Sequence, residues 1–92
     1  MYMIKLYDVM SGRDFPDAGR HLHDLMVDNA NSDKIIINLD GVSLLPSMFL
    51  NVSIGRFIDR YGVEYLKRKI SFINITKSQA ERMKEYIDRY SN

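Results

Sequence analysis

Residues 34–62 read KIIINLDGVSLLPSMFLNVSIGRFIDRYG, a strand, a loop and a helix in succession. The run Ile35-Ile36-Ile37 favours extended backbone because β-branched side chains are stiff at χ1, and its lack of polar alternation predicts a central strand covered on both faces. After the loop Asp40 to Pro46, a helix is expected from Ser47 to about Tyr61. Its apolar spacing turns Leu50, Ile54, Phe57, Ile58 and Tyr61 toward the core and leaves Met48, Phe49 and Val52 off that stripe. Gly62 stops the helix in the left-handed conformation. The unit sets the Ser47 hydroxyl at the carboxyl end of a strand and the start of a helix, where a ligand, a phosphate or a partner is commonly met.

Working outward, Tyr2 to Val9 alternates along its length and predicts a first strand that is largely apolar on both faces. Ser11 to Asp14 supply turn residues. Pro16 suits the first turn of a helix reaching about Asn29, since its missing N–H would have no partner there, and Ala18, Leu22, Leu25 and Met26 form the inward stripe. Val63 to Lys69 continues as a further helical turn with Tyr65 and Leu66 against the sheet edge, and Ile70 to Ile75 reads as the third strand. Thr76-Lys77-Ser78-Gln79 has the form of a capping box, opening a last helix to about Tyr90 with Ala80, Met83, Ile87 and Tyr90 inward. The order β-α-β-α-β-α predicts an α/β domain with a small, mainly parallel sheet. Three strands leave an exposed edge, open to pairing with another chain or blunted by charges such as Lys5.

Ninety-two residues, 46% hydrophobic and 27% charged, suit one soluble domain spanning 1–92, with no room for a second core. No apolar run approaches the ~20 residues that cross a bilayer, and the amino terminus lacks the basic region and apolar run of a signal peptide. The absence of cysteine excludes disulfides, thiolate metal sites and a cysteine nucleophile. A cytoplasmic location is the resulting expectation. The net charge of +1 argues against the broad basic footprint of a nucleic-acid binder. Its densest cluster, Lys67-Arg68-Lys69, falls at a helix end, where cations suit the dipole.

Few residues offer chemistry. His21 and His23, two apart on a helix, point in directions roughly 200° apart and cannot chelate one metal together, and no aspartate has the spacing of a calcium loop. The glycines never form a phosphate loop followed by Lys-Ser or Lys-Thr. Neither a metal nor a cofactor is expected, and without a histidine near either serine, an acyl-transfer enzyme is not expected either. Gly55 inside the second helix costs ~1 kcal/mol relative to alanine, which close approach of another backbone, within the domain or from a partner, would compensate. Ser47 has two readings: a helix cap, worth ~1 kcal/mol, or a phosphate acceptor favoured by the helix dipole. Ser43 is a weaker acceptor.

These residues carry a resemblance. Ile35 to Asp40 as a buried strand ending in an acid, Gly41-Val42-Ser43 as the turn, and Leu45-Pro46-Ser47-Met48-Phe49-Leu50 entering the helix resemble the STAS domain of sulfate transporters and anti-sigma-factor antagonists. Ile70 to Asn74 is similar to the third core strand of that family, ending in Asn. The chain is most similar to the small bacterial STAS-like proteins of unknown function, sometimes found beside histidine-kinase-type ATPase domains. The resemblance implies a STAS-like fold and a non-catalytic regulatory module. The implied partner is a protein, of the histidine-kinase-type ATPase or anti-sigma-factor-like class.

In such antagonists an Asp-Ser pair precedes the helix and the serine is phosphorylated. Ser47 matches that serine, whereas Pro46 replaces the aspartate, and Met48 and Phe49 replace small residues. The expected partner surface is therefore Asp40, Ser43, Pro46, Ser47, Met48, Phe49 and Val52, with Ser47 as the phosphorylation candidate. The alternative is a small-ligand domain, taking a nucleotide or lipid at the carboxyl ends of the strands near Asp40, Ser47 and Asn74.

Overall fold

The isoleucine run forms β2 (Ile35–Asn38) at the centre of a three-stranded parallel sheet, between β1 (Tyr2–Lys5) and β3 (Ile70–Ile73). Around it are α1 (Leu6–Met10), α2 (Phe15–Asp28), α3 (Ser47–Val52), α4 (Ile54–Tyr61), α5 (Val63–Lys69) and α6 (Lys77–Tyr90). The computed structural model describes residues 1–90. It is the expected α/β architecture with a small parallel sheet, each strand being followed by one to three helices.

The parallel register aligns Tyr2 with Ile35 and Ile70, and Ile4 with Ile37 and Phe72, on one face. Met3, Ile36 and Ser71, followed by Lys5, Asn38 and Ile73, share the other. On the first face Ile4, Ile35, Ile37 and Ile70 are buried. On the second, Met3, Lys5 and Ile73 are exposed, and Ile36, Asn38 and Ser71 are only half-buried. The expectation that the strands are covered on both faces is thus corrected. The reason is topological: strands in the order 1-2-3 step in one direction, so crossovers of a single hand set all their helices on one side. A second helical layer would require the strand order to reverse.

The first strand is shorter than its alternation predicts. It ends at Lys5, and α1 takes over because Leu6 and Val9, three apart, are both buried on a helical face. Asp14 caps α2, its Oδ1 accepting from Asp17 N at 2.8 Å, with Pro16 in the first turn. Ala18, Leu22 and Met26 are buried as expected, and Leu25 is half-buried. The capping box is formed: Gln79 N donates to Thr76 Oγ1 at 3.1 Å, and Thr76 N donates to Gln79 Oε1 at 3.0 Å. In α6 the inward positions are Gln79, Met83, Tyr86 and Ile87, and Ala80 is exposed because Gln79 takes the place expected for it.

The predicted single helix from Ser47 to Tyr61 is two. Ser53, at φ −116° and ψ −83°, breaks it into α3 and α4. Its buried hydroxyl donates to Phe49 O at 2.8 Å, so the break leaves no polar atom orphaned there. The interruption resets the helical phase, and α3 buries Phe49 together with Leu50. Gly62 ends α4 at φ +91°, a backbone that disfavours side chains. Two glycines account for close helix contacts. A Cβ on Gly19 would lie 2.3 Å from Val52 Cγ2 and 2.7 Å from Phe49 O. One on Gly55 would lie 2.6 Å from Tyr86 Oη, so the close approach there comes from α6 within the domain.

Candidate functional site at the loop after the central strand

The loop leaves β2 at Asn38, whose Oδ1 accepts from Asp40 N at 2.9 Å and from Asn74 Nδ2 at 3.0 Å. Leu39 N donates to Ile73 O at 3.0 Å and extends the pairing of β2 and β3 one residue past the strands. Asn74 has φ +53°, a conformation that asparagine tolerates better than most residues. A turn follows, with Val42 N donating to Leu39 O at 2.9 Å and Gly41 at φ +83°. Gln79 Nε2, on α6, donates to Val42 O at 2.6 Å. One side chain thus caps its own helix and clamps the loop. Leu45 is buried and anchors the far end, and Pro46 O accepts from both Phe49 N and Leu50 N at 3.0 Å to begin α3.

What this held loop displays is apolar. Leu44 is 64% exposed and Met48 58%. Tyr7 and Phe15, 52% and 38% exposed, line a depression of about 200 Å³ with Val42, Ser43 and Leu44. A second hollow of about 370 Å³ lies between Ser43, Leu44 and Pro46 on one side and Ser78, Gln79 and Arg82 on the other. Exposed Asp40 and Ser43 and half-buried Pro46 belong to this surface.

Two expected site residues behave otherwise. Phe49, expected among the partner contacts, is 1% exposed and belongs to the core, because the break at Ser53 changes the phase of α3. Val52 is half-buried against α2 at Gly19. The cap reading of Ser47 also fails. Pro46 occupies the N-cap position without a side-chain acceptor, and Ser47 is the first helical residue. Its Oγ instead accepts from Arg82 Nη2 at 2.9 Å.

Arg82 therefore ties the start of α3 to α6. Beyond it a cavity of about 270 Å³ is lined by Ser47, Asn51, Arg82, Tyr86, Arg89 and Tyr90. Tyr86 Oη donates to Asn51 Oδ1 at 2.7 Å, and Tyr90 Oη donates to Asp59 Oδ2 at 2.8 Å. That bond, with burial and the carboxylate's charge, pushes the Tyr90 phenol up to about 12. Burial chiefly, then the Asp59 charge, raises Tyr86, while Arg82 acts in the opposite direction. A guanidinium offers only donors, so Arg82 cannot take a proton from Ser47; it can neutralise an anion placed there.

Asp40 and Asn74 meet through Asn38, and neither lines the cavity containing Ser47. The three residues named for a small ligand are therefore not gathered around that cavity. Sequence reasoning missed Leu44, Tyr7 and Phe15, which come from three separate segments, and Arg82. The spacing of three between Gln79 and Arg82 puts both on one side of α6, but only the packing shows that the loop lies there.

Among the described residues no helix is long and apolar enough to cross a membrane. No curated protein and no solved structure matches the chain. A family model described as a STAS-like domain of unknown function matches residues 18–80, from α2 through the clamped loop to the first turn of α6. With more than half of its length covered, the chain belongs to the family of STAS-like domains of unknown function.

Proposed function

We propose that this domain is a non-catalytic interaction module that docks a cytoplasmic protein partner through the loop 40–46 and the exposed start of α3. The observation that carries this reading is the gathering of Tyr7, Phe15 and Leu44, with Met48 two residues past Pro46, around a loop clamped by Gln79. Exposed apolar side chains concentrated in one area mark contact surfaces. A loop already held by hydrogen bonds loses little further freedom on binding. Asp40, Ser43, Pro46, Ser47 and Met48 supply the contact, and Phe49 supports it from within.

Phosphorylation of Ser47 would gate the contact. A phosphoryl group would bring up to two negative charges beside Met48 and draw on Arg82 as its counter-ion. The partner class is the one implied by the resemblance, a histidine-kinase-type ATPase or an anti-sigma-factor-like protein. Affinity capture from the native cytoplasm, repeated with Leu44→Glu, Met48→Glu and Ser47→Asp, tests the reading. The wild type should retain a specific partner and both Glu variants should lose it while remaining folded. Capture that is indifferent to Leu44 and Met48 removes the docking surface, and indifference to Ser47→Asp removes the gate alone. The small-ligand reading has less support, because strands in the order 1-2-3 create no switch-point crevice at their carboxyl ends.

A further inference from the structure

A second surface lies away from the loop, along the free edge of β3. The order β1-β2-β3 leaves β3 paired on one side only. Beside it, on the helical face of the sheet, runs an open groove of about 360 Å³. Half-buried Phe72 and Ile75 and buried Met83 and Ile87 form its floor. Lys67, Lys84 and Asp88 stand at its rim.

We infer that this groove accepts an extended segment of a partner protein that adds as a fourth strand to β3, with apolar residues at alternate positions and acidic residues among the others. Three features specify that occupant. The outer backbone groups of an edge strand are satisfied by another strand and not by a helix. From Ala80 to Asp88 the groove follows α6 for about 12 Å, the length of about four strand residues and of β3 itself. Alternate side chains of an added strand would point to the face carrying Phe72, over the apolar floor. Finally, two lysines against one aspartate at the rim favour acidic flanks. A second copy of this chain would bring an equally basic rim against this one.

The test is amide NMR on the isotope-labelled domain, titrated with a blocked hexapeptide alternating glutamate and valine. Its comparators are the lysine–valine counterpart and a glutamate–valine peptide interrupted by proline. Shifts should map to Ile70–Ile73 and Ala80–Asp88, with slowed exchange of β3 amides. Ala80→Arg and Lys84→Glu, both at exposed positions, should each weaken binding by about tenfold or more, a loss of about 1.4 kcal/mol. The combined Lys67→Glu and Lys84→Glu variant should prefer the lysine peptide. Binding unaffected by proline, a bound peptide that is helical, shifts confined to the loop 40–46, self-association through these same residues, or no binding at the solubility limit would each overturn the inference. The groove residues Lys67, Phe72, Ala80, Lys84 and Ile87 line neither hollow at the loop, so failure of one surface leaves the other standing.

Discussion

Replacing Gly19 with alanine should destabilise the domain, although the same change in a solvent-facing helix stabilises by ~1 kcal/mol. The new Cβ would lie 2.3 Å from Val52 Cγ2, more than 1 Å inside the ~3.5–4.0 Å optimum for carbon pairs. It would also lie 2.7 Å from Phe49 O. Val52 is β-branched and nearly confined to one rotamer in a helix, so it cannot simply swing aside. Phe49 O is backbone and already accepts the Ser53 hydroxyl. The remaining response is for α3 to move away from α2. Overpacking of this kind costs ~1–3 kcal/mol, and two contacts under 3 Å, one of them to backbone, set this site in the upper part of that range, so about 1–2 kcal/mol of net loss remains after the ~1 kcal/mol propensity gain. In a domain of this size each kcal/mol corresponds to about 4–8 °C in Tm. Urea denaturation should show a lower midpoint with an unchanged slope. Adding Val52→Ala should recover part of the loss, since the clash with the Phe49 carbonyl persists. Gly55→Ala should cost less, because its Cβ meets the ends of the Tyr86 and Tyr90 side chains, which can shift. A Gly19→Ala protein as stable as the wild type, or more so, would refute the account of helix approach that positions the start of α3.

Further outcomes follow from the same contacts. Met48→Glu should change stability by no more than about 0.5 kcal/mol, whereas Phe49→Ala should cost about 3–5 kcal/mol in urea denaturation, and comparable effects would contradict their opposite burial. Gln79→Ala removes half of the capping box and the clamp on Val42 O; a loss of about 1–3 kcal/mol and faster amide exchange in the loop are expected, and unchanged exchange there would show that the clamp is not needed. Tyr90 should ionise at about 12, above the unfolded value near ~10, because ionisation would oppose two negative oxygens at the Asp59 contact. The raised value means that the stability from this bond is complete below pH ~10 and is lost as pH rises toward 12. Asp59→Asn should return Tyr90 toward the ordinary range in a tyrosinate absorbance titration, and an unchanged titration would reject the assignment.

Much of the fold is legible in local residue patterns. The Ile35-Ile36-Ile37 run, the Asp14 and Pro16 start of α2, and the Thr76–Gln79 box each draw their conformation from neighbours within a few positions. Such signals survive without tertiary context. The break at Ser53 is less legible, because a lone serine in a helical pattern carries no stop signal of its own. In the phase of one long helix Phe49 falls off the apolar stripe, whereas the break turns it into the core. The site was legible as a place, the loop after the central strand, but not as a set of side chains.

The residue pattern by itself determined an α/β chain with three strands, a capped last helix and an unusual loop-to-helix entry at Leu45-Pro46-Ser47. Tertiary structure alone decided that the helices connecting the strands lie on one side of the sheet, since that depends on strand order and crossover hand. It also decided that Ser47 is bonded to Arg82 and does not cap its own helix. The partner lies 35 positions away, a distance across which sequence spacing carries no geometry. Local conformation is governed by near neighbours, whereas the company a side chain keeps is governed by how whole elements pack.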